Sequence, residues 1–196
     1  MTTTYKNGFA KNVFQQLDTD SSLCVLGLCL ASNDIVLNRE QIDNSRDEEK
    51  IFFFATSLSI VREVAEIVTK IDKCMLKTYF SQNTITLLEN LKRDLPPLTN
   101  RTLRPVRNLT FHYDFTKSPQ KKRLSSLLDE IKNESELKVR INSDDNSILR
   151  HRYTFADIFR NKLVDSYLSK EIVNQISVVA ANIIAFTDSL LTDLLP

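Results

Sequence analysis

Apolar positions recur at helical spacing over most of the chain. A short amphipathic segment from Phe9 to Leu17 leads into a second predicted helix, from about Ser22 to Arg39, with Asp20 or Ser21 as its N-cap. Leu23, Val25, Leu26, Leu28 and Leu30 make this helix apolar nearly all round, which predicts a central position. Asp43 to Lys50 is a polar, acidic connection. A long helix is predicted from about Asp47 to Asp72, through Ile51, Phe52, Phe53, Phe54, Val64, Ile67 and Val68, with the phenylalanines in the core. A shorter helix covers about Asn83 to Leu95, and Pro96-Pro97 should stop it because proline has no N–H to continue the ladder.

The next predicted helix runs from about Leu103 to Phe115. Ser118-Pro119 reads as the N-cap and first position of another, reaching about Glu134. Between Leu137 and Tyr153 the period changes. Val139 and Ile141 alternate with charged residues, Ser143 to Asn146 make a turn, and Ile148 to Tyr153 return, so a small β-hairpin is expected. Thr154 to Asp157 forms a capping box that opens a helix to about Leu168, and Ser169 caps a last amphipathic helix ending near Leu195. The expected fold is all-α: one domain over residues 1–196, with a core bundle at about 9–134, the hairpin at about 137–153 and C-terminal helices at about 155–195.

Composition narrows the function classes. Of 196 residues, 42% are hydrophobic and 26% charged, which fits an ordinary globular protein rather than a disordered one. Only Gly8 and Gly27 are glycine, which excludes the glycine-rich turns of P-loop and dinucleotide folds. Cys24, Cys29 and Cys74 form no C-x-x-C pair and stand far from His112 and His151, so buried free thiols are expected rather than a zinc site. Glu48, Glu49, Glu63 and Glu66 have no E-x-x-H partner motif, which argues against a di-iron bundle. No secretory h-region opens the sequence and no unbroken apolar run reaches the ~18 residues of a membrane span. A cytoplasmic location without membrane contact is the expectation.

Net charge is only +1, but its distribution is uneven. Arg101, Arg104, Arg107, Lys117, Lys121, Lys122 and Arg123 are offset by one acid, Asp114. On the helix from Leu103, the residues Val106, Leu109 and Tyr113 fall within a ~60° sector suited to the core. Arg104, Asn108 and His112 form a stripe opposite, with Phe111 and Phe115 beside it. An exposed basic and aromatic face of this kind suits a partner or a second subunit.

Arg107-Asn108 followed by His112 resembles the R-x4–6-H motif of the HEPN superfamily, including the polar residue after the arginine. The resemblance covers roughly Phe9 to Glu134. It implies a helical bundle that acts as a homodimer, pairing motif helices to build a metal-independent endoribonuclease of the kind found in toxin, abortive-infection and stress systems. In some such toxins a tyrosine stands two residues after the histidine. Here that place is Asp114, with Tyr113 one residue early, which argues against modification by a partner nucleotidyltransferase. The chemistry suits the residues. RNA supplies its own 2′-hydroxyl nucleophile, an imidazole transfers a proton near neutral pH, and a guanidinium neutralises developing phosphoryl charge.

The expected catalytic set is therefore Arg107, His112 and Asn108, with Arg104, Lys121, Lys122 and Arg123 as RNA-binding residues. No cofactor or metal is expected. RNA, a second copy and an antitoxin-like partner protein are the expected partners. The competing expectation is a non-catalytic dimeric helical protein that serves interaction or RNA binding, with Arg107, Asn108 and His112 on a solvated helix face.

Overall fold

The computed structural model describes residues 13–45, 47–72, 74–98, 121–132, 139–141, 151–153, 162 and 169–195. Most of these are helical. In chain order they form α1 (Thr19–Asn44), α2 (Asp47–Ile71), a 3-10 turn (Met75–Tyr79), α3 (Gln82–Leu98), α4 (Lys121–Lys132), β1 (Val139–Ile141), β2 (His151–Tyr153) and α5 (Lys170–Asp193). Helices α1, α2, α3 and α5 build the core. Each packs on the next in that order, α5 returns to α1, and α2 also touches α5. Short connections between α1, α2 and α3 favour antiparallel neighbours. Gly27 lies against Ile67, and Cys24 against Cys74, so α1 and α2 do run antiparallel. Asn83 meets Ser189 at one end of the α3–α5 pair, while Arg93 and Glu171 share a groove nearer the other.

Helix α1 starts earlier than its composition suggests. Its N-cap is Asp18, whose Oδ1 accepts from the Ser21 N–H at 2.6 Å, rather than Asp20 or Ser21. Ser21 is fully buried on the core side, so it sits inside the helix and leaves the cap to the exposed carboxylate. That bond holds the Asp18 carboxyl below the usual range. Nor is α1 enclosed. Cys24, Val25, Leu28, Ala31 and Ile35 face the core, whereas Leu23, Leu26, Leu30 and Leu37 remain exposed; among the described elements α2 and α5 are the ones that pack most on this helix.

On α2 the core face is Ala55, Leu58, Val61, Val64, Val68 and Ile71, each at most 3% exposed. Three successive helical residues fan over ~200°, so one face cannot take the whole phenylalanine run. Phe54 packs against the core, while Phe52 is exposed and meets Phe53 edge-on at 5.5 Å. At Gly27 helix α2 comes close to α1. A Cβ there would stand 2.8 Å from Ile67 Cδ1.

Pro96 and Pro97 do not end α3, which reaches Leu98. They lie in its last turn, and Leu95 and Leu98 on either side are both 2% exposed in the core. Burial of those two leucines holds the turn helical despite the missing donors. Ser169 caps α5, accepting from the Ile172 N–H at 3.3 Å. Helix α5 brings Ile176, Val179, Ile183, Phe186 and Leu190 to the centre, where Phe186 meets Phe80 edge-on at 6.0 Å.

Strands β1 and β2 pair antiparallel in the register Val139 to Tyr153, Arg140 to Arg152 and Ile141 to His151. Residues 142–150 between them, and the segments predicted as helices at Leu103–Phe115 and Thr154–Leu168, fall outside the described residues apart from residue 162. Although no apolar run is unbroken for 18 residues, α1 and α5 are long and apolar enough to cross a membrane by length and composition. Their mean hydropathies over such a window are 1.4 and 1.3, and a third of each window (33%) is buried in the bundle.

Candidate functional site

Arg104, Arg107, Asn108 and His112 lie outside the described residues. Lys121, Lys122 and Arg123 form the first turn of α4, with Lys122 exposed. Leu124 and Leu127, just beyond the basic turn, are buried. Three cations at a helix N-terminus oppose the helix dipole, and an anion near that end would relieve the opposition. His151 and Arg152 stand in β2, opposite Ile141 and Arg140.

The structure brings together a polar cluster that the local sequence pattern does not announce. At the start of α3, the Ser81 N–H donates to Asp193 Oδ2 at 2.7 Å and Thr84 Oγ1 donates to the same oxygen at 2.5 Å. Ser189 Oγ lies 2.7 Å from Thr84 Oγ1 and accepts from Asn83 Nδ2 at 2.8 Å. Ser81 Oγ also caps α3 by accepting from the Thr84 N–H at 3.3 Å. Burial alone would raise the Asp193 carboxyl, but the Thr84 and Ser81 bonds outweigh it and hold the group below the ordinary range. Among the described residues no imidazole or amine joins this cluster. It has hydroxyls without a base to activate them, and what it does is latch the last turn of α5 to the first turn of α3. The signal was there in part: Ser81 and Thr84 at cap spacing, and Ser189 and Asp193 one turn apart on α5.

Two further groupings bring polar side chains together. Lys92 Nζ donates to Asp72 at 2.8 Å and Glu89 at 3.1 Å, and Lys77 also pairs with Asp72. The Lys77 bond first, then that from Lys92, lowers the Asp72 carboxyl. This network borders an open groove of about 340 Å³ between α2 and α3. Cys24 Sγ lies 3.8 Å from Cys74 Sγ, whose thiol donates to the Lys70 carbonyl at 3.3 Å. Burial, then the neighbouring Cys74, pushes the Cys24 thiol up to about 11. All three cysteines are free; Cys24 is buried, and Cys29 and Cys74 are half-buried. Among the described residues no group of three or more His, Cys, Asp or Glu side chains is placed to hold a metal ion.

The chain matches no model of a known protein family, no curated protein and no solved structure.

Proposed function

We propose that this chain is a HEPN-like, metal-independent endoribonuclease that works as a homodimer in the cytoplasm, in a toxin, abortive-infection or stress setting. The observation that carries the reading is Arg107-Asn108 and His112 at motif spacing inside the basic stretch from Arg101 to Arg123. The helical character of the chain and the basic first turn of α4 support it. The paired strands β1 and β2 would then be an insertion carried by a HEPN-like bundle.

In this reading Arg107 neutralises charge on the phosphoryl oxygens, His112 takes the proton from the 2′-hydroxyl, and Asn108 orients the imidazole or the phosphate. Arg104, Lys121, Lys122 and Arg123 hold the RNA strand. His112 of a second copy protonates the departing 5′-oxygen, so the products are a 2′,3′-cyclic phosphate and a 5′-hydroxyl. No cofactor takes part. An antitoxin-like protein is the partner that would restrain such an activity.

Purified protein incubated with RNA in EDTA tests this directly. Cleavage should leave cyclic phosphate ends, and His112→Ala should lower its rate at least ~100-fold, the scale of a lost general acid–base group. Cleavage that is absent, or equal in both proteins, sinks the reading.

A second reading is a non-catalytic dimeric helical protein for interaction or RNA binding. The exposed leucines of α1 favour it. Salt-sensitive RNA binding without cleavage, or a partner-binding defect in Arg107→Ala with RNA untouched, would select it.

A further inference from the structure

Cys24 Sγ and Cys74 Sγ stand 3.8 Å apart, although 50 residues separate them in the chain. They meet where the first turns of α1 pass the connection between α2 and the 3-10 turn. Two further contacts fix that junction. The Tyr79 hydroxyl donates to the Gln16 carbonyl at 3.1 Å, and Leu76 is fully buried in the same core cluster as Cys24. A disulfide bond is ~2.05 Å long, so the sulfurs need to close by less than ~2 Å. Cys74 sits on extended backbone outside both helical elements, so turning its side chain breaks no helical bond. The thiol gives up only a weak hydrogen bond to the Lys70 carbonyl.

We propose that Cys24 and Cys74 are an oxidation site, which a peroxide converts to an intramolecular disulfide that staples α1 to the C-terminal end of α2. The two thiols take different parts. Cys74 is half-buried and meets the oxidant first, whereas Cys24 is 6% exposed. The Cys74 thiolate attacks one peroxide oxygen, the O–O bond breaks, and hydroxide leaves a sulfenic acid on Cys74. Cys24 sulfur then attacks Cys74 sulfur, the S–O bond breaks, and the departing hydroxide takes the Cys24 proton as water. In sum two thiols and one hydrogen peroxide give one disulfide and two waters, with sulfur oxidised and peroxide oxygen reduced. Burial, then the neighbouring Cys74, holds Cys24 protonated, so it reacts slowly with anything in solution. Contact with Cys74 offsets this in the second step, which needs no encounter. Lys70 favours the Cys24 thiolate that forms there, and Asp20 opposes it.

Cys29 is no partner for Cys24. Five residues along one α-helix make a rise of ~7.5 Å, beyond the ~4.5 Å between Cβ atoms that a disulfide tolerates. Nor do the two thiols suit a metal, since among the described residues no third His, Cys, Asp or Glu joins them. The disulfide would close a long loop of chain. Such a link restricts the unfolded ensemble more than the folded one, so the oxidised protein is the more heat-resistant form. This goes beyond RNA cleavage, which rests on Arg107 and His112 and is tested separately by His112→Ala.

Full-length protein, first reduced and then held dilute with hydrogen peroxide at neutral pH, tests this by intact mass and a non-reducing peptide map. The monomer should lose two hydrogens, the peptides holding Cys24 and Cys74 should be joined, and dithiothreitol should reverse both changes. The oxidised monomer should melt about 5–15 °C above the reduced one. Cys29→Ser should oxidise in the same way, and Cys74→Ser should neither lose hydrogens nor gain heat resistance. In urea, where the fold no longer selects partners, links to Cys29 should appear. The wild-type map decides the matter even if a serine variant fails to fold. Cys24 and Cys74 that stay unlinked while Cys74 accumulates sulfinic acid overturn the inference. So does a folded-state disulfide that includes Cys29 or joins two chains instead, or a set of links that is the same in urea as in the folded protein. A Cys24–Cys74 link that leaves the melting temperature unchanged overturns the staple.

Discussion

Asp193 and Thr84 lie at opposite ends of a hydrogen bond of 2.5 Å, although 109 residues separate them in the chain. The carboxylate stands in the last turn of α5 and serves as an anionic cap for the first turn of α3, where unpaired N–H groups and the helix dipole favour negative charge.

Asp193→Ala should therefore lower unfolding stability by roughly 1–2 kcal/mol, the usual cost of a lost cap with a buried hydroxyl left short of a partner. The effect has a pH signature. The Asp193 carboxyl is depressed in the folded protein relative to an unfolded value near ~3.9. Its contribution is then complete above that unfolded value and disappears as pH falls through the lower folded one. Urea unfolding of both proteins should give a constant difference from pH 5 to pH 8 that shrinks below about pH 4. A difference that stays constant into strong acid would show that the charge contributes nothing.

Phe186 is fully buried and its ring meets Phe80 edge-on, between the 3-10 turn region and α5. Phe186→Ala should cost about 3–5 kcal/mol through lost transfer energy and the cavity left behind. Phe80→Leu keeps most of the apolar volume and loses the ring geometry, so about 0.5–1.5 kcal/mol is expected. Equilibrium denaturation of the two variants should rank them in that order.

Gly27 tests how tightly α1 and α2 approach. Alanine at this mid-helix position gains about 1 kcal/mol in helix propensity, but its Cβ meets Ile67 Cδ1 at 2.8 Å. That atom is the free end of a half-buried side chain, so Gly27→Ala should be close to neutral. Adding Ile67→Val removes the obstructing methyl group. The double variant should be more stable than Ile67→Val alone by about 1 kcal/mol, read as a thermal midpoint shift.

The three thiols should differ in reactivity. Cys24 is 6% exposed and its thiol is pushed up to about 11, so at pH 8 only ~0.1% of it is thiolate. Brief treatment with iodoacetamide, followed by peptide mass spectrometry, should find Cys24 labelled last. In urea its lag should vanish, since burial is the cause. Early labelling of Cys24 in the folded protein would contradict its placement.

The helices were legible because their period is a local property. The stretch predicted as Asp47 to Asp72 became α2 at Asp47–Ile71, and Ser169 caps α5 as its position before an apolar run implies. What local pattern missed was decided by tertiary burial. Asp20 and Ser21 read as the caps of α1, yet Ser21 is inside the core and Asp18, one turn earlier, takes the role. Pro96 and Pro97 looked like a stop, yet Leu95 and Leu98 carry the helix past them into the interior. A helix apolar all round implied enclosure, whereas among the described residues α1 packs on α2 and α5 and leaves Leu23, Leu26, Leu30 and Leu37 exposed.

The site was legible to a different degree. Arg107, Asn108 and His112 stand out by spacing alone, which names a chemistry without arranging it in space. The latch of Ser81, Thr84, Ser189 and Asp193 has the reverse character. Each residue is ordinary in its own segment, and meaning comes only when α3 and α5 meet.

Ser32 on α1 donates to Thr187 on α5 at 3.0 Å, and Gln16 ahead of α1 donates to the Leu194 carbonyl at 2.8 Å. During synthesis the early helices must therefore wait, their inner faces wet, until α5 has cleared the ribosome. Such a chain closes its core only once α5 is at hand, and the interval before closure is when a chaperone or a protease would find it.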